Sequence, residues 1–224
     1  ALGVAKPPRS GWAILGALGL GLALAERLSA VEPVVLLDVA PERCRQAREL
    51  GLPVVEANAL EEATFGIEEI EARLRFVGAT PNEEVNFLFA RRARELLKAQ
   101  DLWVGLRRDH SAIHPEMVIE MGGRILFGRE RQLGLWASRI ETGLVEFETR
   151  VAGEDSALPE AESACGADLL PLTHHRQGFV APYSDALAPR AGDEVAFAIL
   201  RSRQSEVREA LEAAGWHELA DPRA

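Results

Sequence analysis

The chain has 224 residues, enough for one large or two small domains, and its 47% apolar and 27% charged content is an ordinary globular balance that argues against extended disorder. A formal net charge of −10 argues against a nucleic-acid partner, since phosphates attract basic patches. The two cysteines, Cys44 and Cys165, are far apart and match neither a disulfide framework nor a zinc site.

Residues 1–10 contain Pro7 and Pro8 and read as a linker. The apolar run 12–25 is broken by glycines and falls short of the roughly 20 residues a membrane-spanning helix needs, so this segment is not expected to insert into a bilayer. A short apolar strand over 11–15 ends at Gly16, and the turn 16–21 leads into a helix over 22–28. A second buried strand, 34–37, is closed by Asp38, and Pro41 opens a helix reaching residue 50. A third strand spans 53–55, a helix 60–72 and a fourth strand 74–79. The helical spacing of Val85, Leu88, Phe89, Ala93, Leu96 and Leu97 predicts a helix over 83–99, and a fifth strand follows at 102–106. Beyond it the pattern predicts a helix over 114–121, a strand over 124–127 and a helix over 132–141.

Short apolar strands alternating with helices imply a parallel sheet covered on both faces, with right-handed crossovers. The pattern changes after about Gly143. Residues 144–151 alternate as a half-buried strand does, and short strands at 169–172, 179–180 and 194–200 are separated by turn chemistry at 175–178, 182–185 and 189–193. A closing helix over 205–214 ends at Gly215. The expected fold class is therefore α/β: a Rossmann-type parallel sheet over 11–142, then a second, smaller α+β domain over 143–224.

A strand, a glycine turn, a helix and an acid at the tip of the second strand form the dinucleotide-binding pattern Gly-x-Gly-x-x-Gly. Gly16 and Gly21 take the first and third glycine positions, and Asp38 is the acid. The middle position is Leu18, with Gly19 beside it, and a leucine side chain there crowds the point of closest approach to a pyrophosphate. The turn amides of Gly16, Ala17, Leu18 and Gly19, at a helix N-terminus, are candidate phosphate contacts, and Asp38 is a candidate ribose contact. A carboxylate at position 38 repels a 2′-phosphate, which favours NAD(H), ATP, ADP or AMP over NADP. The alternative is a Rossmann scaffold whose glycines serve packing alone.

Three further segments carry a family resemblance. Asp38-Val-Ala-Pro-Glu-Arg43, Leu52-Pro-Val-Val-Glu-Ala-Asn-Ala59 and Thr80-Pro-Asn-Glu-Glu-Val-Asn86 resemble the strand-end acid, adenine-side loop and fourth-strand loop of the regulator-of-conductance-of-potassium family, also called TrkA-type domains. In the second domain, Gly178-Phe-Val-Ala-Pro182 and the Pro-x-x-Gly-Asp turn ending at Asp193 are similar to that family's C-terminal module. The resemblance implies further ligand contacts at Asn58, Ala59, Thr80, Asn82 and Glu83. It also implies a cytoplasmic regulatory region, not an enzyme, that dimerises and gates a transmembrane cation transporter on binding NAD(H) or an adenine nucleotide. The start of the chain and the stretch Arg124 to Trp136 are similar to sodium/proton antiporter tails, which favours that context over a free-standing potassium-uptake subunit. A dimerisation module that has lost its nucleotide, and an NAD-dependent dehydrogenase, are the competing functions.

Other signals are weaker. His110 and His114 stand four apart, but no third metal ligand is suitably spaced and Pro115 interrupts, so no metal site is expected. His174 and His175 read as exposed residues before a turn. Trp103 and Trp136 read as core or interface. The helix 132–141 could pack on a partner subunit or on its own domain.

Overall fold

The computed structural model describes residues 8–107 and 112–219. Most of the expected linker, 1–7, and His110 of the histidine pair lie outside the described residues.

The first sheet is built from β1 (Trp12–Leu15), β2 (Val34–Asp38), β3 (Val54–Glu56), β4 (Arg75–Gly78), β5 (Asp101–Val104) and β6 (Arg124–Ile125). Its strands are all parallel and lie in the order β3-β2-β1-β4-β5-β6, the doubly wound Rossmann arrangement. The intervening helices are α1 (Leu20–Leu28), α2 (Pro41–Glu49), α3 (Glu68–Glu71), α4 (Glu83–Leu97) and α5 (Pro115–Glu120); α6 (Leu133–Glu141) follows β6. The helix expected over 60–72 is instead a 3₁₀ turn over Glu62–Gly66 and the single turn of α3, with Ile67 extended between them. Gly66 lies at this break, and a glycine inside a helix costs about 1 kcal/mol relative to alanine.

The second sheet contains β7 (Val145–Ala152), β8 (Leu169–Arg176), β9 (Phe179–Pro182), β10 (Glu194–Leu200) and β11 (Trp216–Glu218), all antiparallel, in the order β11-β7-β10-β8-β9. Helix α7 (Leu158–Cys165) precedes β8, and α8 (Gln204–Ala213) precedes β11. Neither α7 nor β11 is marked by the sequence patterns above, and β8 runs well past the expected 169–172.

Alternation on the strands decides which core each side chain enters. Trp12 and Ile14 point to one face of the parallel sheet, and Ala13 and Leu15 to the other, where Phe76, Phe89 and Leu102 pack. In the second sheet Val195, Phe197 and Ile199 face α7 and α8, while Ala198, Leu170 and Leu172 face the first unit. These last three share one continuous apolar cluster with Trp12, Leu20 and Leu24, so α1 is clamped between the two sheets. Trp136 of α6 belongs to the same cluster, so α6 packs within its own chain. Among the described residues, no helix is long and apolar enough to cross a membrane.

Candidate functional site

In an open parallel sheet, ligands bind beyond the carboxyl ends of the strands, where the strand order reverses. Here that point lies between β1 and β4, at the tips formed by Gly16 and Thr80. Gly16 has φ +105°, a conformation side chains rarely adopt, and a Cβ on it would lie 3.2 Å from the Thr80 methyl. A Cβ on Gly21 would lie 1.8 Å from the carbonyl oxygen of Gly16. Gly21 therefore does what the third glycine of the pattern must do, letting α1 press against the turn.

Asp38 is buried at the tip of β2 and is turned onto the glycine turn. Its Oδ2 accepts the amide of Ala17 and its Oδ1 the amide of Ala40, each at 2.9 Å, and the Arg43 guanidinium stands 3.6 Å away. The carboxylate thus braces the turn amide that an incoming phosphate would otherwise use. Across the crevice, the buried Asn86 fixes the β4 tip. Its Oδ1 accepts from the Thr80 amide and hydroxyl at 3.0 and 2.7 Å, while its Nδ2 donates to the carbonyls of Thr80 and Gly105 at 2.9 and 3.0 Å.

The crevice is covered by α6. A Cβ on Gly19 would lie only 2.9 Å from the Cα of Ala137, and one on Gly134 would lie 3.8 Å from the Cβ of Pro81. Ala137 and Glu141 line what remains, a cavity of about 50 Å³ shared with Gly16, Leu18, Asp38 and Thr80. Small-molecule sites typically enclose roughly 300–1,000 Å³, so a nucleotide does not fit while α6 stays in place. Leu18 and Glu141 also border a groove of about 490 Å³ on the outer side of the turn, reached by Leu22, Ile140 and Phe147.

Against known protein families, residues 12–118 match the TrkA-N domain. No curated protein matches the chain. Among solved structures, the chain is similar to the TrkA-N domain of inner membrane protein ybaL from Escherichia coli, at 20% identity over 55% of this chain and 87% of that one, with a TM-score of 0.45. It is also similar to the NAD(P)-binding domain of an exopolyphosphatase-related protein from Archaeoglobus fulgidus, at 18% identity, 52% and 86% coverage and a TM-score of 0.44. A third is the GsuK channel bound to NAD, at 14% identity and a TM-score of 0.43, where 97% of this chain covers 41% of the channel chain.

The crevice gathers Gly16, Ala17, Leu18, Gly19, Asp38 and Thr80. The other expected contacts are committed elsewhere. Asn82 caps α4, its Oδ1 accepting the Val85 amide at 3.1 Å. Glu83 is fully buried, and its carboxylate accepts the amides of Arg107 and Ala112 at 2.8 and 3.2 Å, tethering the segment after β5. Asn58 closes a local turn by accepting the Leu60 amide at 3.0 Å, and Ala59 is packed in the core with Phe65. Arg43, Pro81, Ala137 and Glu141 line the crevice without being singled out by sequence. The cue for the last two is the spacing Gly134, Ala137, Glu141, one face of a helix.

His174 is buried, not exposed. Its Nε2 meets Asp193 Oδ2 at 2.9 Å, and Asp193 also accepts from the Arg176 guanidinium and the Arg190 amide, so the Pro-x-x-Gly-Asp turn closes on one carboxylate. Burial pushes the His174 imidazole below its ordinary pKa, only partly offset by Asp193. Burial would raise Asp193, but the hydrogen bonds from Arg176, the Arg190 amide and His174 outweigh it and hold the carboxyl well below the usual range. Among the described residues, no group of three or more His, Cys, Asp or Glu side chains is placed to hold a metal ion.

Proposed function

We propose that this chain is the nucleotide-responsive regulatory region of a monovalent cation transporter, a sodium/proton antiporter in first preference to a potassium-uptake system. In this reading it works on the cytoplasmic side of the membrane as a homodimer. Residues 11–142 take NAD(H) or an adenine nucleotide (ATP, ADP or AMP), and 143–224 pass the signal on. The role is regulatory rather than catalytic.

The observation that carries the proposal is Asp38 meeting the Gly16–Gly19 turn at the reversal point of the sheet. Two protein amides engage the carboxylate, which has about four lone-pair positions and so retains capacity for ribose hydroxyls. Its charge disfavours a 2′-phosphate. Clamping of α1 between the two sheets supports transmission, since a ligand at the N-terminus of α1 acts on an element both units share.

A thermal-shift panel of NAD(H), NADP(H), ATP, ADP and AMP tests this. A ligand held at 100 times its dissociation constant stabilises by about 2.7 kcal/mol. Stabilisation by NAD(H) or an adenine nucleotide is expected, with affinity weakened in Asp38→Ala. Substrate-dependent oxidation of NADH would instead assign an enzyme. A second reading, a structural module that no longer takes a nucleotide, is favoured by Leu18 and by the 50 Å³ left under α6; no response to any member of the panel would select it.

A further inference from the structure

We infer, resting on the nucleotide-binding role proposed above, that α6 is a built-in competitor for the crevice: nucleotide and docked α6 exclude one another, and release of α6 is the step that couples binding to the second sheet. Three observations meet on this helix.

The first is the division of its faces. Gly134, Ala137 and Glu141 recur at i, i+3 and i+7 and face the crevice. Leu133, Trp136 and Ile140 recur with the same spacing and belong to the apolar cluster that holds Leu22, Phe147 and Leu170. One stripe of α6 therefore lines the ligand site and the adjacent stripe packs on the core joining both units.

The second is how close the docking is. The Cα and carbonyl oxygen of Ala137 would stand 2.9 and 3.0 Å from a Cβ on Gly19, so Gly19 is needed where α6 lies against the turn. In the dinucleotide pattern a glycine beside the turn admits a pyrophosphate; here the space it leaves is filled by a helix backbone. The third is the chemistry α6 brings. Glu141 lines the same small cavity as Asp38, where a second carboxylate opposes any phosphate entering alongside it.

Connectivity completes the coupling. Helix α6 runs into β7 through Thr142–Leu144, where the Leu144 amide donates to the Arg139 carbonyl and the Leu144 carbonyl accepts from the Arg201 amide. Displacing α6 thus pulls on the start of β7, the neighbour of β10 and β11. A ligand that binds only the released state shifts the population toward it, and its apparent affinity is reduced by the fraction of chains already released.

The 3.8 Å approach between Pro81 and the Cβ position of Gly134 supplies the test, because disulfides join Cβ atoms about 3.8 Å apart. In the double variant Pro81→Cys/Gly134→Cys, oxidation should remove two thiols and leave Cys44 and Cys165 free. Calorimetric titration with NADH and with AMP is then run on the oxidised and reduced forms of the same protein and on the wild type. Binding by the wild type and the reduced form, lost or weakened about tenfold or more in the oxidised form, is expected. Equal affinity in both forms would overturn the competition while leaving the nucleotide role standing. No binding by wild type or reduced variant would overturn that role and this inference together. Failure of the bond to form would contradict the docking itself. Hydrogen exchange gives an independent reading: the amides of 133–141 should exchange faster with nucleotide bound, and unchanged or slower exchange there would refute the release of α6.

Discussion

Replacing Gly19 by alanine probes the contact on which the closed crevice depends. The residue sits at φ 51°, ψ −111°, and an L side chain in a positive-φ conformation costs about 1–2 kcal/mol. The new methyl also meets the Cα, Cβ and carbonyl oxygen of Ala137 at 2.9 to 3.0 Å, and backbone atoms cannot rotate aside. Overpacking of this kind adds about 1–3 kcal/mol, for a total of roughly 2–5 kcal/mol. At about 2–4 °C per kcal/mol for a chain of this size, Tm should fall by roughly 4–20 °C. Gly178→Ala is the matched control, since Gly178 has φ +82° and nothing within 4 Å of an added Cβ, leaving backbone strain alone. Thermal and urea unfolding followed by circular dichroism compare the two variants. Equal destabilisation within error would mean that α6 does not press on the glycine turn, and the account of the closed crevice would be wrong.

Two further outcomes are expected. Glu162 is buried between Arg131, itself buried, and Arg129, and removing its charge in Glu162→Gln leaves a guanidinium uncompensated, a loss of about 3–5 kcal/mol in urea unfolding; Arg131→Met/Glu162→Leu should recover most of it. Burial lowers the His174 pKa in the fold below its ordinary value near 6.5, so its contribution is fully present above that pH and is lost as pH falls below it. Asp193, depressed in the fold, contributes above its unfolded value near pH 4 and loses that contribution on further acidification. Urea midpoints from pH 7.5 to 5 should therefore fall in the wild type and flatten in His174→Gln; identical slopes would remove His174 from the acid response.

The parallel sheet was legible because its strands are short apolar runs, three of which, β1, β2 and β4, are stopped at Gly16, Asp38 and Thr80, residues that also form the crevice rim. Asp38 was legible for the same reason: a strand-end acid about 20 residues after a glycine turn has few other places to go. Motif positions said less about side-chain direction. Glu83 matches a ligand-loop position, yet it follows the Asn82 cap and turns inward, where two amides and Arg107 satisfy it. Asn58 closes its own turn, as asparagines readily do. Helix α7 escaped notice because Pro159 and a sparse apolar content hide it, although proline is well tolerated in a first turn.

The role of α6 was illegible for a different reason. Its sequence shows one apolar stripe, Leu133, Trp136 and Ile140, and that stripe says only that the helix packs somewhere. The adjacent stripe begins with Gly134 and Ala137, and small residues carry no signal until another backbone is found against them. In the sequence Gly19 stands beside the middle position as a candidate phosphate contact; the space it opens is taken by Ala137. Leu18 then has a physical place as well. With α6 docked, it lines both the 50 Å³ remnant and the 490 Å³ groove beside Ile140 and Phe147. The leucine that weakens the glycine pattern thus borders the same spaces as Ala137 and Ile140 of α6, and an apolar side chain there favours α6 over a hydrated pyrophosphate for as long as the helix stays down.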